Sequence, residues 1–352
     1  MNGADIMTIR DFGKNKKGEA AKLYSFVNKN GMEMHVSDFG CTLYSLMVPD
    51  KDGNKLDVVL GYDDPLGYQG PSGTFFGATV GRNANRIAKS QYMLNGKLYT
   101  MDVNDGENNL HSGVDFWNHR IWDVKETTEN SITFALHSPD GDQGFPGAMD
   151  MTVTYTLTDD NAVLWDLWAV ADADTVINPC NHSYFNLDGH ASGTILAQKV
   201  WMDSDYFTPT DDKLIPTGEI APVEGTPMDF RVMKEIGQDI QVDYEPLILA
   251  NGYDHNWALK NNGQFMKVAE MTSENSGITM EVSTDRPGLQ LYTANFLNNE
   301  AGKQGAVYVK NAGITFETQE YPDAINQKNF PSPILKKGEE FKSRTEYKFV
   351  VG

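Results

Sequence analysis

Dipeptides that close tight hairpins punctuate this chain from end to end: Asp52-Gly53, Asn95-Gly96, Asp140-Gly141, Asn262-Gly263 and Ser276-Gly277 each lie between runs with strand character. Their residues accept the positive φ that two-residue hairpin turns demand, so they predict antiparallel pairing of the flanking runs. The runs themselves alternate with period two, as in Ile132-Thr133-Phe134-Ala135-Leu136, Met151-Thr152-Val153-Thr154-Tyr155-Thr156-Leu157 and Gly277-Ile278-Thr279-Met280-Glu281-Val282. One face of each is apolar and the other wet. Apolar spacing at i, i+3, i+4 and i+7 is scarce, and residues 233–240 offer a short helix or turn at most. Helices do not alternate with strands, so a βαβ architecture is not expected. Two stacked sheets that bury their apolar faces against each other meet the pattern, which predicts an all-β protein, a large antiparallel β-sandwich. Polar strand residues on an outer, concave face would then be free to meet a ligand. No Ser/Gly/Pro-rich linker, charge block or repeat of twenty to fifty residues divides the chain, and residues 1–352 read as a single domain.

Charge narrows the partners. The chain has 29 basic against 49 acidic residues, a formal charge of −20, which repels phosphate backbones and anionic lipid. Neither nucleic acid nor a membrane is expected as a partner, whereas a neutral small molecule such as a sugar is indifferent to that field. Cys41 and Cys180 are the only cysteines, far apart, with no Cys-x-x-Cys pair, so no disulfide framework and no thiolate metal site is expected. That usage suits a reducing cytoplasm. Residues 1–20 are polar, carry Lys14, Lys16 and Lys17 and lead into no apolar stretch, and no run approaches the roughly 18 apolar residues of a membrane span. Asn181-His182-Ser183 fits the glycosylation pattern and reads as a chance match.

Chemistry concentrates in a few segments. Asn178-Pro179-Cys180-Asn181-His182-Ser183-Tyr184-Phe185-Asn186-Leu187 sets one imidazole among amides, hydroxyls and aromatic rings. Imidazole titrates near neutrality, at about 6.5, and rings beside it can lie against the apolar face of a sugar. His182 is therefore a candidate proton-transfer group, or else a hydrogen-bonded structural histidine in an aromatic strand. A second histidine stands in Asn108-Asn109-Leu110-His111-Ser112-Gly113, where the glycine allows close backbone approach to a ligand; a plain surface turn fits the same residues. Glu317 and Gln319 share one strand face by period two, either toward a ligand or on a solvated edge. Gly81-Arg82-Asn83-Ala84-Asn85-Arg86-Ile87 supplies guanidinium and amide donors that suit vicinal hydroxyls or surface carboxylates equally. Tyr253-Asp254-His255-Asn256-Trp257 joins a carboxylate to an aromatic platform, and Gly288-Leu289-Gln290-Leu291-Tyr292 adds an amide. His-Glu-x-x-His, Gly-x-Ser-x-Gly and a Walker loop are absent, so neither a metal nor a nucleotide or other cofactor is expected.

Taken in order, Ala84-Asn85-Arg86-Ile87, Asn109-Leu110-His111-Ser112-Gly113, Asn181-His182-Ser183-Tyr184-Phe185-Asn186-Leu187, Tyr253-Asp254-His255-Asn256-Trp257 and Glu317-Thr318-Gln319 before Tyr321-Pro322-Asp323 resemble the aldose 1-epimerases, the galactose mutarotase family. The likeness runs through nearly the whole chain, and Asn-His-x-Tyr-Phe-Asn-Leu is its most specific element. It implies a galactose mutarotase-like supersandwich with an open cleft on one sheet, acting on an aldose as a monomer or homodimer. It also implies interconversion of α and β anomers of free hexoses such as glucose and galactose. Carried over position by position, it makes Glu317 the base, His182 the acid and His111 an assistant near the ring oxygen, with Asn85, Arg86, Asp254 and Gln290 holding the sugar hydroxyls. Glu320 stands where many relatives have histidine and Cys180 where a hydroxyl residue is common, departures that bear on sugar preference. On this reading Glu317 is ionised and His182 protonated, and the pH profile is a bell with its lower limb from Glu317 and its upper limb from the histidines. Competing readings are a hexose-6-phosphate 1-epimerase with Arg82 or Arg86 on the phosphate, a non-catalytic sugar binder of the same fold, and a glycosidase built on Glu317 and Asp254.

Overall fold

The computed structural model describes residues 7–352, folded as three principal antiparallel sheets and several two-stranded ribbons. The first is a meander in which Met7–Lys14, Ala20–Val27, Glu33–Ser37, Thr42–Pro49 and Lys55–Asp57 pair in chain order. The second has nine strands, ordered Asp123–Thr127, Ser131–Ser138, Met149–Leu157, Ala162–Ala171, Glu340–Val351, Ile278–Thr284, Met266–Thr272, Lys199–Met202 and Lys234–Glu235. The third, the cleft sheet, runs Tyr184–Phe185, Ile314–Gln319, Gly288–Tyr292, Asp254–Ala258, Tyr206–Thr208 and Ala221–Pro222. Its long strands obey the alternation expected of half-buried strands. Phe316, Leu289, Leu291, Trp257 and Phe207 enter the main core, which leaves Glu317, Gln290, Tyr292 and Asp254 on the opposite face.

The cleft sheet and the nine-stranded sheet meet across that core. Tyr347, from the strand that joins the halves of the large sheet, packs its ring 5.0 Å from that of Phe185 and donates its hydroxyl to the Phe316 carbonyl at 3.3 Å. The N-terminal meander closes one end, with Tyr24 edge-on to Phe134 at 5.9 Å and the Cys41 carbonyl accepting from Tyr155 at 3.2 Å. The result is the all-β sandwich the alternation predicts. Helix among the described residues is limited to Pro65–Tyr68, Glu245–Ala250 and short 3-10 turns, and none is long and apolar enough to cross a membrane.

Most of the turn dipeptides join paired strands, as Asn95-Gly96 does between Gln91–Leu94 and Lys97–Thr100. Asn262-Gly263 does not. Its two residues take the expected positive φ, of 50° and 74°, yet the strand before it lies in the cleft sheet and the strand after it in the large sheet. Turn chemistry fixes the local reversal; which sheet receives the next strand is decided by where its apolar face is buried. Residues 233–240 form a short edge strand followed by a 3-10 turn at Ile236–Gln238. Trp257, read from sequence as a platform for ligand, is fully buried in the core, because strand parity turns it away from Asp254.

Candidate active site

Above the polar face of the cleft sheet lies a cavity of about 570 Å³. Its floor is Glu317, Tyr292 and Asp254, one residue from each of three adjacent strands, placed side by side by the register that sets Tyr292 opposite both Asp254 and Thr315. Its walls carry His182, His111, Arg86 and Asn85. Six of the seven residues singled out from sequence therefore line one cavity. Gln290, the seventh, is buried beside it, and its Nε2 donates to Asp254 Oδ1 at 2.8 Å, which orients that carboxyl.

His182 stands between the short strands Cys180–Asn181 and Tyr184–Phe185, where its backbone N–H donates to Ala78 and its carbonyl accepts from Gly77. These bonds fix the ring so that Nε2 lies 3.4 Å from Glu317 Oε1. His111 meets His182 edge-on, ring centres 5.1 Å apart, and Phe75 packs on both. The His111 turn is held by reciprocal bonds to Asn85: the Asn85 N–H donates to His111 Nδ1 at 3.0 Å and the His111 N–H to the Asn85 carbonyl at 2.9 Å. With Nδ1 used as an acceptor, the neutral ring carries its proton on Nε2 and is a hydrogen-bond donor. Gly113, which follows, serves packing rather than ligand approach: a Cβ there would lie 2.3 Å from Asn104 Nδ2. Asn104 in turn clamps Leu110 through both main-chain groups.

Burial dominates the electrostatics. It pushes Glu317 up to about 8, opposed by the Thr315 hydroxyl on Oε1 at 2.9 Å and reinforced by the nearby Asp254. It pushes His182 down to about 4 and, with His182 and Arg86 adding repulsion, takes His111 well below the usual imidazole range. Asp254 is raised by burial too, against the pull of Arg86. Burial therefore favours the proton of the pair on the Glu317 carboxyl, with His182 neutral. It thus works against the charge assignment read from sequence, a carboxylate facing an imidazolium, because it disfavours both charged forms. Arg86 is committed to Asp105 through Nε at 2.7 Å.

Several neighbours were not foreseen. Tyr184 and Tyr292 line the cavity, and each follows a predicted residue by two positions, so strand parity could have found them. Phe75 and Glu300 come from segments without any distinguishing motif. Arg82 is fully buried away from the cavity, its guanidinium spent on the Pro146 and Gly147 carbonyls, Thr175 and Ser138, and it offers nothing to a phosphate. Glu320 lies 3.5 Å from Arg286, outside the cavity lining. Asn181 is buried with its amide on Tyr155, which bars it from glycosylation.

A sandwich that sets a carboxyl on the floor of a polar cleft against an imidazole on its wall has the working parts of an acid–base isomerase. A family model for aldose 1-epimerase matches residues 22–348. The galactose mutarotase of Bos taurus is 42% identical over 321 residues, covering 91% of this chain and 92% of its own. An aldose 1-epimerase of Escherichia coli is 36% identical, covering 95% and 96%. Among solved structures, a GalM/aldose epimerase homologue from C. elegans superposes with a TM-score of 0.87 at 32% identity over 94% of this chain and 99% of its own. The chain belongs to the aldose 1-epimerase family.

Proposed function

We infer that the protein interconverts the α and β anomers of free hexoses such as glucose and galactose. The observation that carries this reading is the 3.4 Å approach of His182 Nε2 to Glu317 Oε1 in a cavity large enough for a pyranose. A cyclic aldose is a hemiacetal. To open it, one group takes the proton of the C1 hydroxyl while another delivers a proton to the ring oxygen, and the C1–O5 bond breaks to give the aldehyde. With the family roles, the one proton of the pair first passes from Glu317 to His182; Glu317 then takes the C1 hydroxyl proton as carboxylate and His182 gives the second as imidazolium. Ring opening therefore leaves the carboxyl protonated and the imidazole neutral, the state that burial favours. Burial thus favours the protonation state that accompanies the open-chain intermediate over the charged pair that accompanies the closed ring. Rotation about C1–C2 and reclosure on the other face reverse both transfers, and the proton then returns from His182 to Glu317.

His111, a neutral donor on Nε2, supports the ring oxygen, and Arg86, Asn85 and the Gln290-oriented Asp254 hold distal hydroxyls while C1 swings. A phosphorylated hexose is disfavoured: Asp105, Asp212 and Glu300 line the cavity, while its cations Arg86 and Lys213 are paired with Asp105 and Glu107. A pure sugar binder would gain nothing from the buried acid–base pair. Polarimetry on freshly dissolved α-D-glucose and α-D-galactose tests the reading: Glu317→Gln and His182→Asn are each expected to lower kcat by roughly 10²-fold or more. Wild-type rates in both variants would refute it.

A further inference from the structure

Cys180 is fully buried, and the mechanism so far gives it nothing to do. Its strand, Cys180–Asn181, pairs with Thr79–Val80 behind the cleft, and this places its Sγ 3.4 Å from Glu317 Oε2. The carboxyl thus meets two donors of unequal strength. Thr315 gives Oε1 a hydroxyl bond at 2.9 Å, whereas among the described residues Oε2 receives only a thiol, a weak donor. We propose that Cys180 is a positioning residue for anomer exchange: its weak bond holds Oε2 in place without fixing the Glu317 carboxyl in its ionised form, so the proton stays exchangeable with substrate and His182.

The physical basis is the basicity of a carboxylate. Each strong donor aimed at it stabilises the charge and drains its appetite for a proton, and two hydroxyls would do so on both oxygens. A group that must accept the C1 proton and return it works best when those donors are few. The other groups facing Glu317 do not replace the thiol. His182 and Thr315 both address Oε1; Asp254 repels the carboxylate; Arg86, across the cavity, is held by Asp105. Tyr184 and Tyr292 on the adjoining strands, and Tyr347 below, feel the carboxylate charge without hydrogen bonding to it. Arg286 sits behind Cys180 and is bound to Asn178. The thiol itself is pushed up by burial, first of all, and by Glu317, so it is no nucleophile; its part is that of a hydrogen-bond donor.

The inference rests on Glu317 being the group that takes the C1 proton. Its test is the pH profile of kcat/KM for α-D-glucose from pH 4 to 10 in the wild type, Cys180→Ser and Cys180→Ala. The protonated-carboxyl infrared band that Glu317→Gln removes is followed in parallel. Cys180→Ser, which puts a strong donor on Oε2, is expected to move the alkaline limb and the infrared titration to lower pH by about half a unit to one unit. Cys180→Ala, which removes the donor, moves both the other way, and it reads the same quantity should the serine variant fail to fold. Limbs within about 0.2 unit of wild type in every variant that folds, or a serine variant moving upward, overturn the proposal. If Glu317→Gln itself retains full activity, the error lies instead in the assignment of Glu317.

Discussion

Between about pH 4 and about pH 8 the Glu317–His182 pair holds one proton, and that count is what the proposed mechanism requires. A second proton, gained as the pH falls through about 4, leaves no base; loss of the only one, as the pH rises through about 8, leaves no acid. The kcat/KM profile is therefore expected to be a bell with limbs near those values, the acid limb belonging to His182 and the alkaline limb to Glu317. This reverses the order read from sequence. The two side chains were singled out from sequence and the fold brings them together, whereas the direction in which burial drives their charge states is something no spacing reveals. A stability consequence goes with it. Folded Glu317 retains its proton up to about 8, while the unfolded chain releases it near the ordinary 4.5. The stability tied to this group is complete below pH 4.5 and falls as the pH rises to about 8, by up to a few kcal/mol. Glu317→Gln should be free of that loss, and thermal melts should show its Tm pulling ahead of wild type between pH 5 and 8, then holding a constant lead.

Single strands and turns determine which of these side chains meet. Parity along Asp254–Ala258, Gly288–Tyr292 and Ile314–Gln319 puts Asp254, Tyr292 and Glu317 on one face, and that parity was readable from the sequence pattern. The partnership between segments 81–87 and 109–113 was not, since the two-residue pairing of Arg86–Ile87 with Asn109–Leu110 is too short to leave a periodic trace. The same limit explains Asn262-Gly263, whose turn was foreseen and whose change of sheet was not. The His111 turn depends on Gly113. Replacement by alanine drives a Cβ into Asn104 and the Phe116 ring, loosening the clamp on Leu110. Gly113→Ala is expected to cost about 1–3 kcal/mol in denaturant melts and to lower kcat/KM for α-D-galactose, with the larger part of the loss in kcat, because the proposed mechanism places His111 at the ring oxygen.

Across the whole molecule, the strand Glu340–Val351 is the keystone of the large sheet, bonded on one side to Ala162–Ala171 and on the other to Ile278–Thr284. We propose on this ground that the chain is one domain, and calorimetry should give a single unfolding transition with equal calorimetric and van't Hoff enthalpies. Two separated transitions would overturn it. That a sandwich would form was legible from the alternation; that the last long strand would enter the middle of its largest sheet was not, because register partners far apart in sequence leave no local mark. Arg344 and Asp166, which bridge this junction, are 178 residues apart. On the ribosome, the edge of Ala162–Ala171 is therefore made roughly 10 to 40 s before the partner that will cover it. For that interval a nascent chain offers a long unsatisfied strand to its neighbours, so crowded synthesis and slow translation of the final segment are the conditions under which this fold is most exposed to aggregation.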